Sequence, residues 1–168
     1  MAFIVENGTG ISNATSYVSE TAFDAYWTDR GNTAAVALVS ATKKELLIKA
    51  TAWVDATFRL SFKGQKGTQT QALQWPRSGV EIDGFALDTN IIPAELINAV
   101  SELAWKATTE NIFADVKSGA GFRTETTVGP ITLRFAPGYS ATTLYSFITK
   151  LLAALLRSTG NVVEVIRS

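Results

Sequence analysis

Neither cysteine nor histidine occurs in this sequence. Without thiolates or imidazoles there can be no disulfides, thiol nucleophiles, imidazole acid–base pairs or ordinary structural zinc, and few classes of enzyme survive that exclusion. An excess of charge is missing as well, since Lys+Arg and Asp+Glu number 15 each. No global field draws the chain onto nucleic acid or an anionic membrane, so any such contact must be local. Long apolar runs are also lacking. The longest, Leu151 to Leu156, sits between Lys150 and Arg157 and falls far short of the roughly 20 residues that cross a bilayer. The opening Met-Ala-Phe-Ile-Val-Glu-Asn has neither the basic start nor the long apolar centre of a signal peptide. The expectation is a protein that stays where it is made, or is built into something there.

What is present is 168 residues, enough for one domain with a real core and too few to expect two. The stretch from Gln71 to Phe113 organises the rest. Leu73-Gln74-Trp75-Pro76-Arg77-Ser78-Gly79-Val80 reads as a loop leading to a helix that starts with Pro93 at its first position, where a missing N–H costs nothing. Leu96, Ile97, Val100, Leu103, Ala104 and Ala107 recur at helical spacing, and the pattern predicts a helix of about 30 Å to near Phe113. Its partner is a helix opened by Thr42-Lys43-Lys44-Glu45, which has capping-box spacing. Leu46, Leu47, Ala50, Trp53, Val54 and Phe58 form the apolar stripe there, with Lys43, Lys44, Lys49 and Asp55 mostly on the other side. Antiparallel packing of these two stripes is the expected core.

Around that pair, residues Phe3 to Val18, with Asn7-Gly8-Thr9-Gly10, read as an extended N-terminal arm. Ser19 caps a helix from Glu20 to about Arg30 that buries Ala22, Phe23, Tyr26 and Trp27 and ends at Gly31-Asn32. A hairpin is predicted with strands Phe122 to Val128 and Ile131 to Ala136 around Gly129-Pro130. Its register places Val128 opposite Ile131, Thr126 opposite Leu133, Thr124 opposite Phe135 and Glu125 opposite Arg134. The last helix, about Thr142 to Arg157, carries Leu144, Phe147, Ile148, Leu151, Leu152, Leu155 and Leu156 over more than half its circumference, which suggests burial on a second side by another subunit. After Gly160, the tail Val162-Val163-Glu164-Val165-Ile166 has strong strand propensity. The expected architecture is mainly α: a small helical bundle with a protruding β-hairpin and extended N- and C-terminal arms.

No catalytic constellation emerges. Arg59 to Ile92 is long for a connection, and such loops are usually functional or ordered by a partner. Its first half is basic, with Arg59, Lys63 and Lys66 and no acid between Asp55 and Glu81. Gly64 and Gly67 beside those lysines lack phosphate-loop spacing. A basic patch meeting DNA or an acidic partner competes there with an ordinary solvated loop. Trp75 beside Pro76 and Arg77 is either a base-stacking platform or a loop pinned on its own core, and pinning is the commoner outcome. Glu81 with Asp83 offers too few ligands for a hard cation. The expectation is no enzyme, no cofactor and no metal.

Taken in order, Phe3-Ile4-Val5-Glu6-Asn7-Gly8-Thr9-Gly10, Asn13-Ala14-Thr15-Ser16-Tyr17-Val18-Ser19, Ala72-Leu73-Gln74-Trp75-Pro76-Arg77, Ile92-Pro93-Ala94-Glu95-Leu96 and Val128-Gly129-Pro130-Ile131 resemble a family encoded among tailed-bacteriophage head genes. Its members are often labelled DnaT-like single-stranded-DNA-binding proteins, and they look like the head-to-tail adaptor, or head-completion, proteins of the phage neck. The resemblance spans essentially the whole chain and carries over no catalytic residue. It implies a virion protein made in the bacterial cytoplasm, with residues 1–160 as an adaptor-like helical domain and 161–168 as a partner-binding tail. The implied assembly is a homo-oligomeric ring, similar to dodecamers beneath the portal, lying between the portal protein and a tail or nozzle protein and lining the passage for double-stranded DNA. On that footing Val162, Val163, Glu164, Val165 and Ile166 are candidate portal-binding residues. Arg59, Lys63, Lys66, Arg123 and Arg134 are candidate contacts with a neighbouring subunit or the DNA channel. The alternative, which the family label itself states, is a replication-type protein that binds single-stranded DNA.

Overall fold

The computed structural model describes residues 2–114, 125–128, 131–134 and 145–157. Ser19 caps the first helix, α1 (Glu20–Thr28), its hydroxyl accepting the Ala22 N–H at 3.1 Å, and Phe23, Tyr26 and Trp27 are buried as expected. Gly31, at φ +68, turns the chain into α2 (Thr33–Val36), a single turn capped by the Asn32 side chain. The long α3 (Ser40–Phe58) follows.

The start of α3 departs from the sequence reading. Val39 occupies the cap position without a side-chain bond, and Thr42 lies inside the first turn. Glu45 does not close a capping box; its carboxylate takes the Lys49 ammonium at 2.6 Å along the helix. Lys43, expected on the solvent side, is buried and reaches Asp24 of α1 at 2.7 Å. That ion pair ties the start of α3 to α1 where a side-chain cap would otherwise hold it.

Pro93 is the cap of α4 (Ala94–Lys106), one residue before the first helical position. Leu96, Val100, Leu103 and Ala104 are fully buried, and α3 with α4 forms the most extensive helix contact among the described residues. Trp53 and Leu103 both lie in that core. The helix stops well before Phe113. Beyond Lys106 the Thr108 and Thr109 hydroxyls fold back onto the carbonyls of Trp105 and Lys106, a local bonding choice that competes with continued helix. Against α4 packs α5 (Ser146–Leu152), continued by a 3₁₀ turn (Ala153–Leu155). This helix is shorter than predicted, and its expected first residues, 142–144, lie outside the described ones. Ile148, Leu152 and Leu155 are buried while Phe147 remains exposed.

The connection from Arg59 to Ile92 is ordered by the chain itself. Phe62, Leu73, Trp75 and Val80 enter the core. Two short antiparallel pairs brace the rest, β1 (Gln65–Lys66) with β2 (Arg77–Ser78) and β3 (Glu81–Ile82) with β4 (Phe85–Ala86). Asp83 and Gly84 both have positive φ, the pattern of a tight two-residue hairpin turn. Gly64 is required where β1 meets β2, since a Cβ on it would lie 2.2 Å from the Ser78 carbonyl oxygen. The later hairpin, β5 (Glu125–Val128) with β6 (Ile131–Arg134), has the expected register: Val128 opposite Ile131, Thr126 opposite Leu133 and Glu125 opposite Arg134. Its turn, Gly129-Pro130, and its predicted ends, Phe122 to Thr124 and Phe135 to Ala136, lie outside the described residues.

The N-terminal segment is not an extended arm. Val5 bridges to Ser16, and Tyr17 and Val18 are buried. The buried carboxylate of Glu6 accepts the N–H groups of Gly8, Gly10 and Ile11 at 3.0, 2.9 and 2.8 Å, closing a compact loop. A carboxylate buried this way is tolerable because backbone donors replace its water. The described chain is mainly helical, with five α-helices and small antiparallel hairpins.

Candidate functional site

The basic loop is held down from within. The Arg77 guanidinium is buried beneath it and donates to the carbonyls of Lys63 at 2.6 Å, Gly64 at 2.8 Å and Gln74 at 3.3 Å. Burial first, and then the charge of Arg157, pull its pKa below the ordinary arginine value. Arg77 was absent from the sequence-based candidates, and only its place in Trp75-Pro76-Arg77 pointed to it. Lys63 donates to the Glu81 carbonyl at 3.0 Å and Lys66 to the Gln71 carbonyl at 3.1 Å. Arg59 is exposed; its backbone N–H caps α3 on the Asp55 carbonyl at 3.0 Å, and its side chain makes no hydrogen bond or ion pair among the described residues. The structure brings Lys63 and Lys66 to one braced loop, then, but directs both ammoniums at backbone oxygens of the same chain. Arg123 lies outside the described residues, and Arg134 is described only through its backbone pairing with Glu125.

Trp75 is no stacking platform. Its ring is fully buried and meets Phe62 edge to face at 5.8 Å. A polar tie beneath it fixes the loop to α3. The Tyr17 hydroxyl donates to Asp55 at 2.6 Å and accepts the Trp75 N–H at 3.1 Å, while the other Asp55 oxygen accepts the Gln74 N–H at 3.0 Å. Burial pushes the Asp55 carboxyl up to about 6 against the bonds that favour its charged form. Burial, then the charge of Asp55, raises the Tyr17 phenol well above its usual value. Gln71 completes the bracing by donating to the carbonyls of Leu73 and Pro76. Sequence periodicity placed Asp55 among solvated residues; its partners lie 19 and 38 positions away, and no local pattern announces them.

Over this braced loop is an open cleft of about 410 Å³ with Lys63 and Arg157 on its lining together with Glu81 and Asp83. Its charges are mixed and its glycine-rich floor is shallow, which suits contact with a protein surface better than capture of a phosphate. No cluster of three or more metal-ligating side chains occurs among the described residues. None of the described helices is long and apolar enough to cross a membrane. The exposed large apolar side chains include Leu60, Phe85 and Phe113. Phe85, 78 % exposed beside the Asp83-Gly84 turn, was also missed, although Asp-Gly between Ile82 and Phe85 is a hairpin signal. The candidate tail residues Val162, Val163, Glu164, Val165 and Ile166 lie outside the described residues.

The segments that carried the family resemblance are therefore mostly internal fastenings: the Glu6 loop, the Tyr17 to Asp55 tie, the Trp75 and Arg77 anchors and the Pro93 cap. No curated protein and no solved structure matches the chain. A family model described as "Putative DnaT-like ssDNA binding protein" matches residues 1–168. Covering the whole chain, that match shows that the protein belongs to this DnaT-like family.

Proposed function

We propose that the protein is a structural, non-enzymatic virion subunit, a head-to-tail adaptor that forms a ring between the portal and tail proteins of a tailed phage. The observation that carries this reading is the fate of the side chains a DNA binder would need. Sequence-independent binding of single strands uses exposed aromatic faces interleaved with free cations. Here Trp75 is inside the core, and Arg77, Lys63 and Lys66 donate to carbonyls of their own chain. Exposed Phe85 is surrounded in sequence by Glu81, Asp83 and Asp88, whose charge repels a phosphate backbone. The balanced net charge points the same way. In this reading the tail, Val162 to Ile166, adds as a strand to an edge of the portal protein, where main-chain bonds supply affinity. Arg59 and the hairpin carrying Arg123 and Arg134 face a neighbouring subunit or passing duplex without reading its sequence.

The family description favours a second reading, binding of single-stranded DNA, and supports it more directly than it supports an adaptor. Titration of a labelled oligonucleotide across a salt series separates the two. The adaptor reading expects no saturable binding at physiological salt. Saturable binding whose logarithmic affinity falls steeply with salt concentration would replace it with the second reading.

A further inference from the structure

Asparagine or aspartate precedes glycine at two places in the sequence, Asn7-Gly8 and Asp83-Gly84. In such a pair the glycine amide nitrogen can attack the side-chain carbonyl carbon of the residue before it, because glycine has no Cβ to obstruct the approach and leaves the main chain free to turn. By sequence alone the asparagine site is the more reactive, since an ionised carboxylate is a poor electrophile and a carboxamide does not ionise. The fold treats the two sites in opposite ways. At Asn7-Gly8 both reacting groups are occupied: the Gly8 N–H donates to the buried Glu6 carboxylate at 3.0 Å, and Asn7 Oδ1 accepts the Thr9 N–H at 3.1 Å and the Thr9 hydroxyl at 2.7 Å. Cyclisation must also shift the main chain, and Gly8 is buried with a Cβ position only 1.8 Å from the Asn90 carbonyl oxygen. Reaction there requires the Glu6 loop to open, so folding lowers the rate by the population of that opened state.

At Asp83-Gly84 none of these restraints is present. Both residues are exposed in the turn between β3 and β4, and neither the Asp83 carboxylate nor the Gly84 N–H has a hydrogen-bond partner among the described residues. A Cβ on Gly84 would meet nothing within 4 Å, so the main chain has room to rotate into the cyclising geometry.

We propose that Asp83 is a site of spontaneous covalent modification, converted to isoaspartate through a cyclic imide in the folded protein, while the Glu6 loop keeps Asn7 from the equivalent reaction. The Gly84 nitrogen bonds to Asp83 Cγ, and the hydroxyl of the protonated carboxyl leaves as water together with the amide proton. Water then adds to one of the two imide carbonyls. Opening at the side-chain carbonyl restores aspartate; opening at the main-chain carbonyl leaves the chain running through Cγ. Water is the only co-reactant, and the product is an isomer of the starting chain. It adds a carbon to the main chain of a turn with two residues between the paired Ile82 and Phe85. The bond from the Leu87 N–H to the Val80 carbonyl, at 2.9 Å, is thereby loosened, and the cleft wall made by Glu81, Asp83 and Gly84 moves with it. This chemistry is independent of the adaptor reading.

The full chain is aged in neutral buffer and, in parallel, unfolded in guanidinium chloride at the same pH. Peptide mapping follows both sites, isoaspartate at 83 by chromatographic separation with backbone fragmentation and deamidation at 7 by the mass change from amide to acid. Dividing each unfolded rate by the folded one gives the protection that folding confers. The expected protection at Asn7 is at least about tenfold greater than at Asp83, because one site needs local opening and the other does not. Asp83→Glu, which keeps the charge but would have to close a larger ring, should melt like the unmodified protein and show no isomer at 83. Aged protein should also exchange the Leu87 amide hydrogen faster than fresh protein. Protection at Asp83 that matches or approaches that at Asn7, or an isomer that persists in Asp83→Glu, would overturn the proposal.

Discussion

Asp55 makes stability pH-dependent in a direction opposite to that of most carboxylates. Its folded pKa of about 6 lies above the value of 3.8 for an unperturbed group, and the leading cause is its burial on α3 beneath the Gln74–Trp75 loop. The folded state therefore binds the proton more tightly than the unfolded chain. The stabilisation this provides is fully present below about pH 4 and is lost as pH rises through about 6. A gap of about two pH units corresponds to on the order of 3 kcal/mol, a large share of an ordinary domain's stability. Glu20 works with the opposite sign, since the Ser40 bond lowers its pKa, but its effect is lost only as pH falls below about 4.5. Urea melts at half-unit steps from pH 4.5 to 7.5 should show the unfolding free energy falling through this window. Asp55→Asn, which cannot titrate, should flatten the curve while weakening the loop's anchorage at every pH. Tyr17→Phe strands the Trp75 N–H and removes a charge-assisted bond, and should cost about 2 to 3 kcal/mol at pH 7. Because Tyr17 and Asp55 share one network, the double variant should lose less than the two single losses added. An Asp55→Asn protein with the same pH slope as the unmodified one, or a stability that rises from pH 4.5 to 6.5, would refute this account of the buried tie.

Three further outcomes follow from the packing and from the proposed assembly. Leu103→Ala empties part of the α3–α4 core and should cost about 2 to 5 kcal/mol in denaturant melts, and a loss under about 0.5 kcal/mol would contradict that packing. Gly8→Ala should cost at least about 2 kcal/mol, because its φ is +98 and a Cβ would stand 1.8 Å from the Asn90 carbonyl oxygen; unchanged melting would show that this close approach is wrong. Deleting Val162 to Ser168 should leave melting within about 0.5 kcal/mol of the full chain, since the described core is untouched, yet abolish loading onto portal-bearing heads. Truncated protein that loads as well as the full chain would place the anchor elsewhere.

The helices were legible where burial is periodic. Phe23, Tyr26 and Trp27 on α1, and Leu96, Val100 and Leu103 on α4, repeat at helical spacing and are buried. The β5–β6 register was legible because Glu125 and Arg134 match in charge across a two-residue connection. The start of α1 was legible in its Ser19 cap, but the start of α3 and the end of α4 were not, because they depend on single contacts: Lys43 reaching Asp24 at the start of α3, and threonine hydroxyls returning to carbonyls after α4. The loop from Arg59 to Ile92 was the largest misreading. Its order comes from side chains such as Arg77, Gln71 and Asp55 bonding to backbone groups, and these leave no periodic trace. Its basic character was evident, but the capture of Lys63 and Lys66 by nearby carbonyls depends on the folded path. Trp75 shows the same limit: the sequence left two roles open, and only burial against Phe62 chose between them.

The central claim is tested most directly by locating the protein in phage particles. On the adaptor account, purified virions of the encoding phage, disassembled stepwise and imaged at the neck, should contain the chain in fixed copy number as a ring between portal and tail, with heads lacking it unable to join tails. Particles free of the protein, together with its recovery on single-stranded DNA in infected cells, would contradict the adaptor account and establish the DNA-binding one.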